Sequence, residues 1–184
     1  MKMYLMRTMC VVASAITMVV LSACSTAPSS VQGKTDIRKD AATAFSKAQV
    51  SDPSLTGVLR SAAGYAVFPS IGKGGAVVGG AYGKGVLYVN GSQVGFCDLS
   101  QASIGAQLGA QVYTEIVCFE DSKSVDHFRQ GKLNFDAQAS AVALKSGAGA
   151  NAKYKNGVAV FTMDEAGLMA EASIGGQRFT YQAN

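Results

Sequence analysis

The chain has 184 residues with 16 Lys or Arg, 12 Asp or Glu and a single His. Both remaining basic residues before position 36, apart from Lys34, are Lys2 and Arg7 in the first turn of sequence, so from residue 24 onward 14 basic residues face 12 acidic ones. That near balance, with no Lys/Arg stripe interleaved with aromatics, excludes a nucleic-acid partner. Plentiful Gly, scarce Pro and no Trp point to curved antiparallel sheet and away from disorder.

Lys2 and Arg7 form a positive n-region, and Thr8 to Leu21 is almost wholly apolar or small. This run has the length of a signal h-region and falls short of a bilayer span. It ends in Leu21-Ser22-Ala23-Cys24, the lipobox pattern, in which the cysteine takes the lipid. Residues 1–23 are therefore expected to be a lipoprotein signal peptide and Cys24 the lipidated first residue of the mature chain. Ser25 in place of Asp favours transfer to the outer membrane of a Gram-negative envelope. Several acyl chains on one residue exceed the two signals that stable anchoring needs. The expected localisation is the cell envelope, held by lipid and not by a spanning helix.

Residues 24–34 are polar and rich in Ser, Pro and Gly, and are expected to be a lipidated tether to a single domain over 35–184. Thr35 or Asp36 can cap a helix with Ile37, Ala41, Ala44, Phe45 and Ala48 at helical spacing. Asp52-Pro53 has the form of an N-cap and first-turn proline for a second helix carrying Leu55, Val58, Leu59 and Ala62. A short strand, Tyr65 to Pro69, precedes a glycine-rich stretch through Gly85. Asn90-Gly91 predicts a type I′ hairpin between Val86–Val89 and Ser92–Asp98. From Ile104 to Cys118 the even positions are mostly apolar while Gln107, Gln111 and Glu115 alternate with them. This predicts a long or bent strand with one buried face. A helix capped near Ser122 and stopped at Gly131 turns Val125 and Phe128 inward. Asn156-Gly157 separates two later strands, and Gly175-Gly176 turns Leu168–Ile174 back onto Gln177–Gln182. The fold class is α+β: N-terminal helices packed on a glycine-rich, strongly curved, barrel-like antiparallel sheet.

Chemistry-bearing constellations are few. From Gly79 to Gly83-Lys84 the spacing is one residue short of a phosphate loop, and Gly85 stands where the metal-binding hydroxyl belongs. His127 sits on the short helix beside Asp126 without a catalytic neighbour. Asp164-Glu165 adjoin a turn and do not face each other across a substrate. No catalytic site, metal site or cofactor is expected, and the chain reads as non-enzymatic. Cys10 leaves with the signal, so Cys97 and Cys118 either form a disulfide in the oxidising envelope or serve as two buried thiols. Arg38 and Lys39, with Phe45 on the same amphipathic helix, suit an anionic lipid surface; alternatively Phe45 packs on the sheet and the charges are solvated. Lys73 and Lys84 bracket the glycine-rich stretch and are candidates for an anion site, or simply keep it soluble.

The order of motifs resembles the SYLF-domain family. The resemblance lies in Ala63-Gly64-Tyr65-Ala66-Val67-Phe68-Pro69, then Gly74-Gly75-Ala76-Val77-Val78-Gly79-Gly80-Ala81-Tyr82-Gly83-Lys84-Gly85. It continues in Ser103-Ile104-Gly105-Ala106-Gln107-Leu108-Gly109-Ala110-Gln111, the Ala-rich segment through Gly147 and Gly149, and Gly167-Leu168. Together these cover about residues 36–182. The resemblance implies a lipid-binding module. Eukaryotic members bind phosphoinositides, and some also bind actin; their membrane binding is associated with an N-terminal amphipathic helix and nearby basic residues, whose counterparts here are Arg38, Lys39 and Phe45. An exported, lipidated chain has neither ligand at hand. The expected partners are the membrane itself, through Cys24, and anionic phospholipid or another envelope amphiphile. The alternative is an envelope protein partner, with lipid serving only as the anchor.

Overall fold

The computed structural model describes residues 28, 30–135, 141–145 and 147–184. The signal peptide and Cys24 lie outside the described residues. Helix α1, Val31–Ser51, starts earlier than Thr35 or Asp36 because Ser30 caps it, its hydroxyl accepting from Gly33 N at 3.0 Å. The first helical turns therefore occupy part of the expected tether. Ala41, Ala44 and Ala48 form the buried stripe of α1, and side chains this small let the helix lie close on the sheet.

Asp52 does not cap the second helix in the expected way. It closes α1, its N–H donating to Ala48 O at 2.9 Å, and α2 begins later, at Leu55–Ser61. Its buried carboxylate accepts from Ser54 N at 3.0 Å, from Ser54 Oγ, from Gly147 N at 3.1 Å and from Gly149 N. The acid thus stitches the α1–α2 junction to a loop far along the chain, a role that local sequence spacing does not reveal.

Two long antiparallel strands dominate the sheet. β3, Ser92–Phe119, pairs with β6, Val158–Ala183, from Gly95↔Ala183 to Phe119↔Val158. The hairpin of β1, Gly64–Gly75, and β2, Val78–Val89, sits in the fold of β3. β2 pairs with the first half of β3 (Val78↔Ile104 to Val89↔Ser92) and β1 with the second half (Gly64↔Phe119 to Gly75↔Gly109). The strand expected to stop at Pro69 continues through it by a bulge, where the register shifts between Val67 and Ser70. A bulge accommodates a residue with no N–H to give. The glycine-rich stretch is thus mainly the body of β1 and β2. Gly85 shows why glycine is needed there: a Cβ would lie 2.6 Å from Val67 O and 2.7 Å from the Phe68 ring.

Gly175 and Gly176 make no turn. They continue in β6 opposite Ser103 and Ala102. The barrel expectation is corrected as well: the sheet runs β1-β2-β3-β6-β4, and it does not close. Both neighbours of the β1–β2 hairpin are consumed within the fold of β3, leaving no strand edge to meet β6. The outer side of β6 instead takes two short strands, β4 (Asn134–Phe135) near Arg178 and parallel β5 (Ala141–Ala143) near Val160.

The hairpin turn at Asn90-Gly91 forms as expected, with φ of 50° and 74°, and Asn156-Gly157 adopts the same left-handed pair. Helix α3, Ser122–Arg129, is capped by Asp121, whose carboxylate accepts from Ser124 N at 2.8 Å, and it buries Val125 and Phe128. Helices cover both faces of the sheet base. α1 and α2 pack over Val67, Val86, Phe96, Ile116 and Phe161. α3 packs with Phe68, Leu87, Leu99, Phe119 and Phe179 on the other face. Hence residues 113–119 are buried on both faces, and the single buried face expected from the alternation is lost there. Among the described residues no helix is long and apolar enough to cross a membrane.

Candidate functional site

Among the described residues, the end of the sheet far from the helices is apolar and uncovered. Val77 and Val78 in the β1–β2 turn, and Ile104 and Leu108 at the bend of β3, are 65–73% exposed. Val78 pairs with Ile104, and Gly105 N donates to Val77 O at 2.9 Å, so the turn and the bend form one tip. Val78 lies eight residues along β2 from the covered Val86, about 26 Å at the usual strand rise. No charged residue occurs in 74–83 or in 99–114. The alternation had placed Ile104 and Leu108 in the core; with no described element packed over the tip, they face outward.

Inside the curl, between the tip and the aromatic core, lies a buried polar cluster. Lys73, Ala81, Gln101 and Gln177 form a row across β1, β2, β3 and β6. Gln177 Nε2 donates to Glu115 Oε2 at 2.9 Å and lies 3.4 Å from Gln101 Oε1. Because Gln101 and Glu115 belong to opposite halves of β3, this contact spans the interior of the curled sheet. Glu115 is 0% exposed, although its place among Gln107 and Gln111 suggested a solvent face. Burial pushes its carboxyl up to about 7, against the hydrogen bond from Gln177 and the charge of Lys73. Glu115 Oε1 and Gln177 Oε1 have no hydrogen-bond donor. A proton on Glu115 makes its carboxyl a hydrogen-bond donor as well as an acceptor.

The opposite sheet face carries a second buried acid. Asp98 accepts from Tyr82 OH at 3.3 Å and Thr180 Oγ1 at 3.4 Å. Burial raises it to about 6, opposed by the charge of Lys84 and those two hydrogen bonds.

The five residues considered for lipid or anion contact do not share one surface. Arg38 donates to Gln93 Oε1 at 2.8 Å, and its guanidinium lies 5.0 Å over the Phe96 ring. Phe45 stacks on Tyr65 at 5.1 Å, and Tyr65 stacks in turn on Tyr88. These two residues fasten α1 to the sheet, while Lys39 is exposed. Lys73 is buried in the inner cluster, and Lys84 is half-buried on the other face near Asp98. Both stand on strands, so they do not bracket a phosphate-binding loop.

Cys97 and Cys118 are free thiols, which corrects the disulfide alternative. They pack in the two different cores, on opposite faces of the sheet, so their side chains point away from each other. Burial raises both, Cys118 to about 12. His127 is exposed on α3. Asp164 and Glu165 lie in β6, not beside a turn, with Asp164 accepting from Gln111 Nε2 at 2.7 Å. Among the described residues no group of three or more His, Cys, Asp or Glu is arranged to hold a metal ion.

With this geometry in view, the relatives become informative. Residues 100–184 match the family described as Las17-binding protein actin regulator, Ysc84, the family of the SYLF domain. They span the bend of β3, the inner cluster's Gln101, Glu115 and Gln177, and all of β6. The chain is also similar to Beta cell expansion factor A of Aeromonas veronii, 31% identical over 78 residues. That similarity covers 42% of this chain and 30% of the relative's length. The β1–β2 hairpin precedes the matched family region, so the SYLF-like part of the tip comes from Ile104 and Leu108.

Proposed function

We propose that this SYLF-family chain is a non-enzymatic lipid-binding lipoprotein, anchored through Cys24 to the outer membrane and meeting phospholipid with its folded domain. The observation that carries the reading is the exposed apolar tip of Val77, Val78, Ile104 and Leu108, free of cations, on a sheet whose other end is well covered. The lipobox in the sequence supports the anchor, since a lipidated chain is held where such a surface has a bilayer to meet.

The test has two parts. Radiolabelled palmitate fed to a Gram-negative host is expected to label the full chain but not Cys24→Ser. The unlipidated chain from Ser25 onward, which contains every described residue, is expected to co-sediment with phosphatidylcholine vesicles containing phosphatidylglycerol. A palmitate label that persists in Cys24→Ser, or is absent from the parent, would remove the anchor, and a domain that stays in the supernatant when the vesicles sediment would remove lipid binding by the domain. Lys39→Glu is the better probe of the α1 face in this assay, because Phe45→Ala also breaks the ring stack on Tyr65.

A second reading is a protein-interaction lipoprotein in which lipid is only the anchor. The family description, which names a protein partner, favours it. Vesicle binding absent from a well-folded domain would select this reading.

A further inference from the structure

We infer that the domain enters the bilayer with the tip formed by Val77, Val78, Ile104 and Leu108, and that the hydrocarbon region, not the headgroup layer, is what covers these side chains. This rests on the lipid-binding reading above and assigns the surface that performs it.

Three observations select hydrocarbon as the occupant. The first is charge: residues 74–83 and 99–114 contain no Asp, Glu, Lys, Arg or His, and the one charged residue in the β6 stretch alongside, 168–174, is Glu171 opposite Gln107, so the tip has no cation to grip phosphate.

The second is the state of the backbone. Hydrocarbon accepts a polypeptide only where its N–H and C=O groups are already paired. At the tip β1 is flanked by β2 and β3, with Gly75 opposite both Gly79 and Gly109. β2 is flanked by β1 and β3, and β3 pairs with β6 through Ile104↔Ile174 and Leu108↔Ala170. Even the turn is closed, by Gly105 N to Val77 O and Ala76 N to Val78 O. Among the described residues the outer side of β6 has no partner strand between 163 and 176, so the paired backbone at the tip is that of β1, β2 and β3.

The third is reach. Six residues separate Cys24 from the start of α1 at Val31. Extended, they cover on the order of 20 Å, which keeps the domain beside the membrane that holds its anchor. The strands project the tip about 26 Å beyond the covered base, far enough for it to touch that surface while the helices stay in water.

The absence of tryptophan from the chain provides the probe. Leu108→Trp places a single fluorophore at the tip and Val50→Trp places one on the exposed side of α1. Each unlipidated chain from Ser25 is mixed with phosphatidylcholine/phosphatidylglycerol vesicles containing acyl-chain-brominated lipid. The expected result is a blue shift and bromine quenching for Leu108→Trp and neither for Val50→Trp. Binding is expected to persist in about 0.5 M NaCl, where headgroup electrostatics are screened. The double variant Val78→Asp/Leu108→Asp is expected to lose vesicle partitioning at least about tenfold with its melting midpoint unchanged, since both side chains leave water only on insertion.

Vesicle binding with an unquenched Leu108→Trp overturns this inference and leaves the lipid-binding reading intact. Binding abolished by salt, or retained by the double variant, does the same. A blue shift that needs no vesicles and grows with protein concentration assigns the tip to a second copy and overturns it. Failure of the unsubstituted domain to bind vesicles removes both readings together.

Discussion

Gln177 Nε2 donates to Glu115 Oε2 across the interior of the curled sheet, at 2.9 Å and between residues 62 apart in the chain. The carboxyl it meets is fully buried and raised to about 7 from an ordinary value of 4.5. A raised acid binds its proton more tightly folded than unfolded. Its stabilising effect is therefore complete below the unfolded pKa and is lost as pH rises through the folded one. Asp98, raised to about 6, adds a slope of the same sign. The domain is expected to lose stability between about pH 4.5 and 7, by on the order of 3 kcal/mol from Glu115. Glu115→Gln is expected to match the parent near pH 4 and to exceed it near pH 8. Urea unfolding at a series of pH values checks this; an unchanged slope in the variant would show that Glu115 does not titrate in that window.

The opposite sign is expected of Asp52. Burial alone would raise its carboxyl, but hydrogen bonds from Ser54, Gly149 and Gly147 outweigh that effect and hold it below the ordinary range. Its contribution is present above the unfolded pKa and fades as the solution is acidified through the folded one. Asp52→Ala leaves the Gly147 and Gly149 N–H groups without their acceptor and is expected to destabilise by about 2–4 kcal/mol. Asp52→Asn keeps one acceptor oxygen and is expected to lose less. Thermal melts of the two variants at neutral pH rank them.

Cys97 and Cys118 are expected to remain unmodified by a thiol reagent in the folded domain and to react together once denatured. Both are buried, on opposite sheet faces, and held as thiols rather than thiolates. Intact mass before and after alkylation reads this directly. A purified domain that gains no label even in denaturant would carry the bridge that the geometry forbids.

Gly85 and Gly72 form a matched pair of tests. Gly85→Ala drives a methyl against Val67 O and the Phe68 ring and is expected to destabilise by about 1–3 kcal/mol. A Cβ on Gly72 meets nothing within 4 Å, so Gly72→Ala is expected to be neutral or slightly stabilising. Equal melting midpoints for the two would mean that the β1–β2 approach relaxes freely around the added methyl.

Local signals in the sequence were sufficient wherever the determinant was itself local. Asn90-Gly91 and Asn156-Gly157 supplied left-handed turn residues, and Val125 with Phe128 set the inner face of α3. The stripe of Ala41, Ala44 and Ala48 marked the buried side of α1. Tertiary structure decided everything that depends on what lies across the sheet. Alternation along β3 cannot tell that the curl of the sheet encloses Glu115 while no described element lies over Leu108, so one polar residue was buried and one apolar residue exposed against expectation. Gly175-Gly176 resembles a turn until pairing with Ser103 and Ala102 holds it straight. Asp52 resembles a helix cap until its acceptor oxygens are claimed by amides from Gly147 and Gly149. Periodicity reports which side of an element differs from the other, whereas burial depends on neighbours brought in from distant parts of the chain.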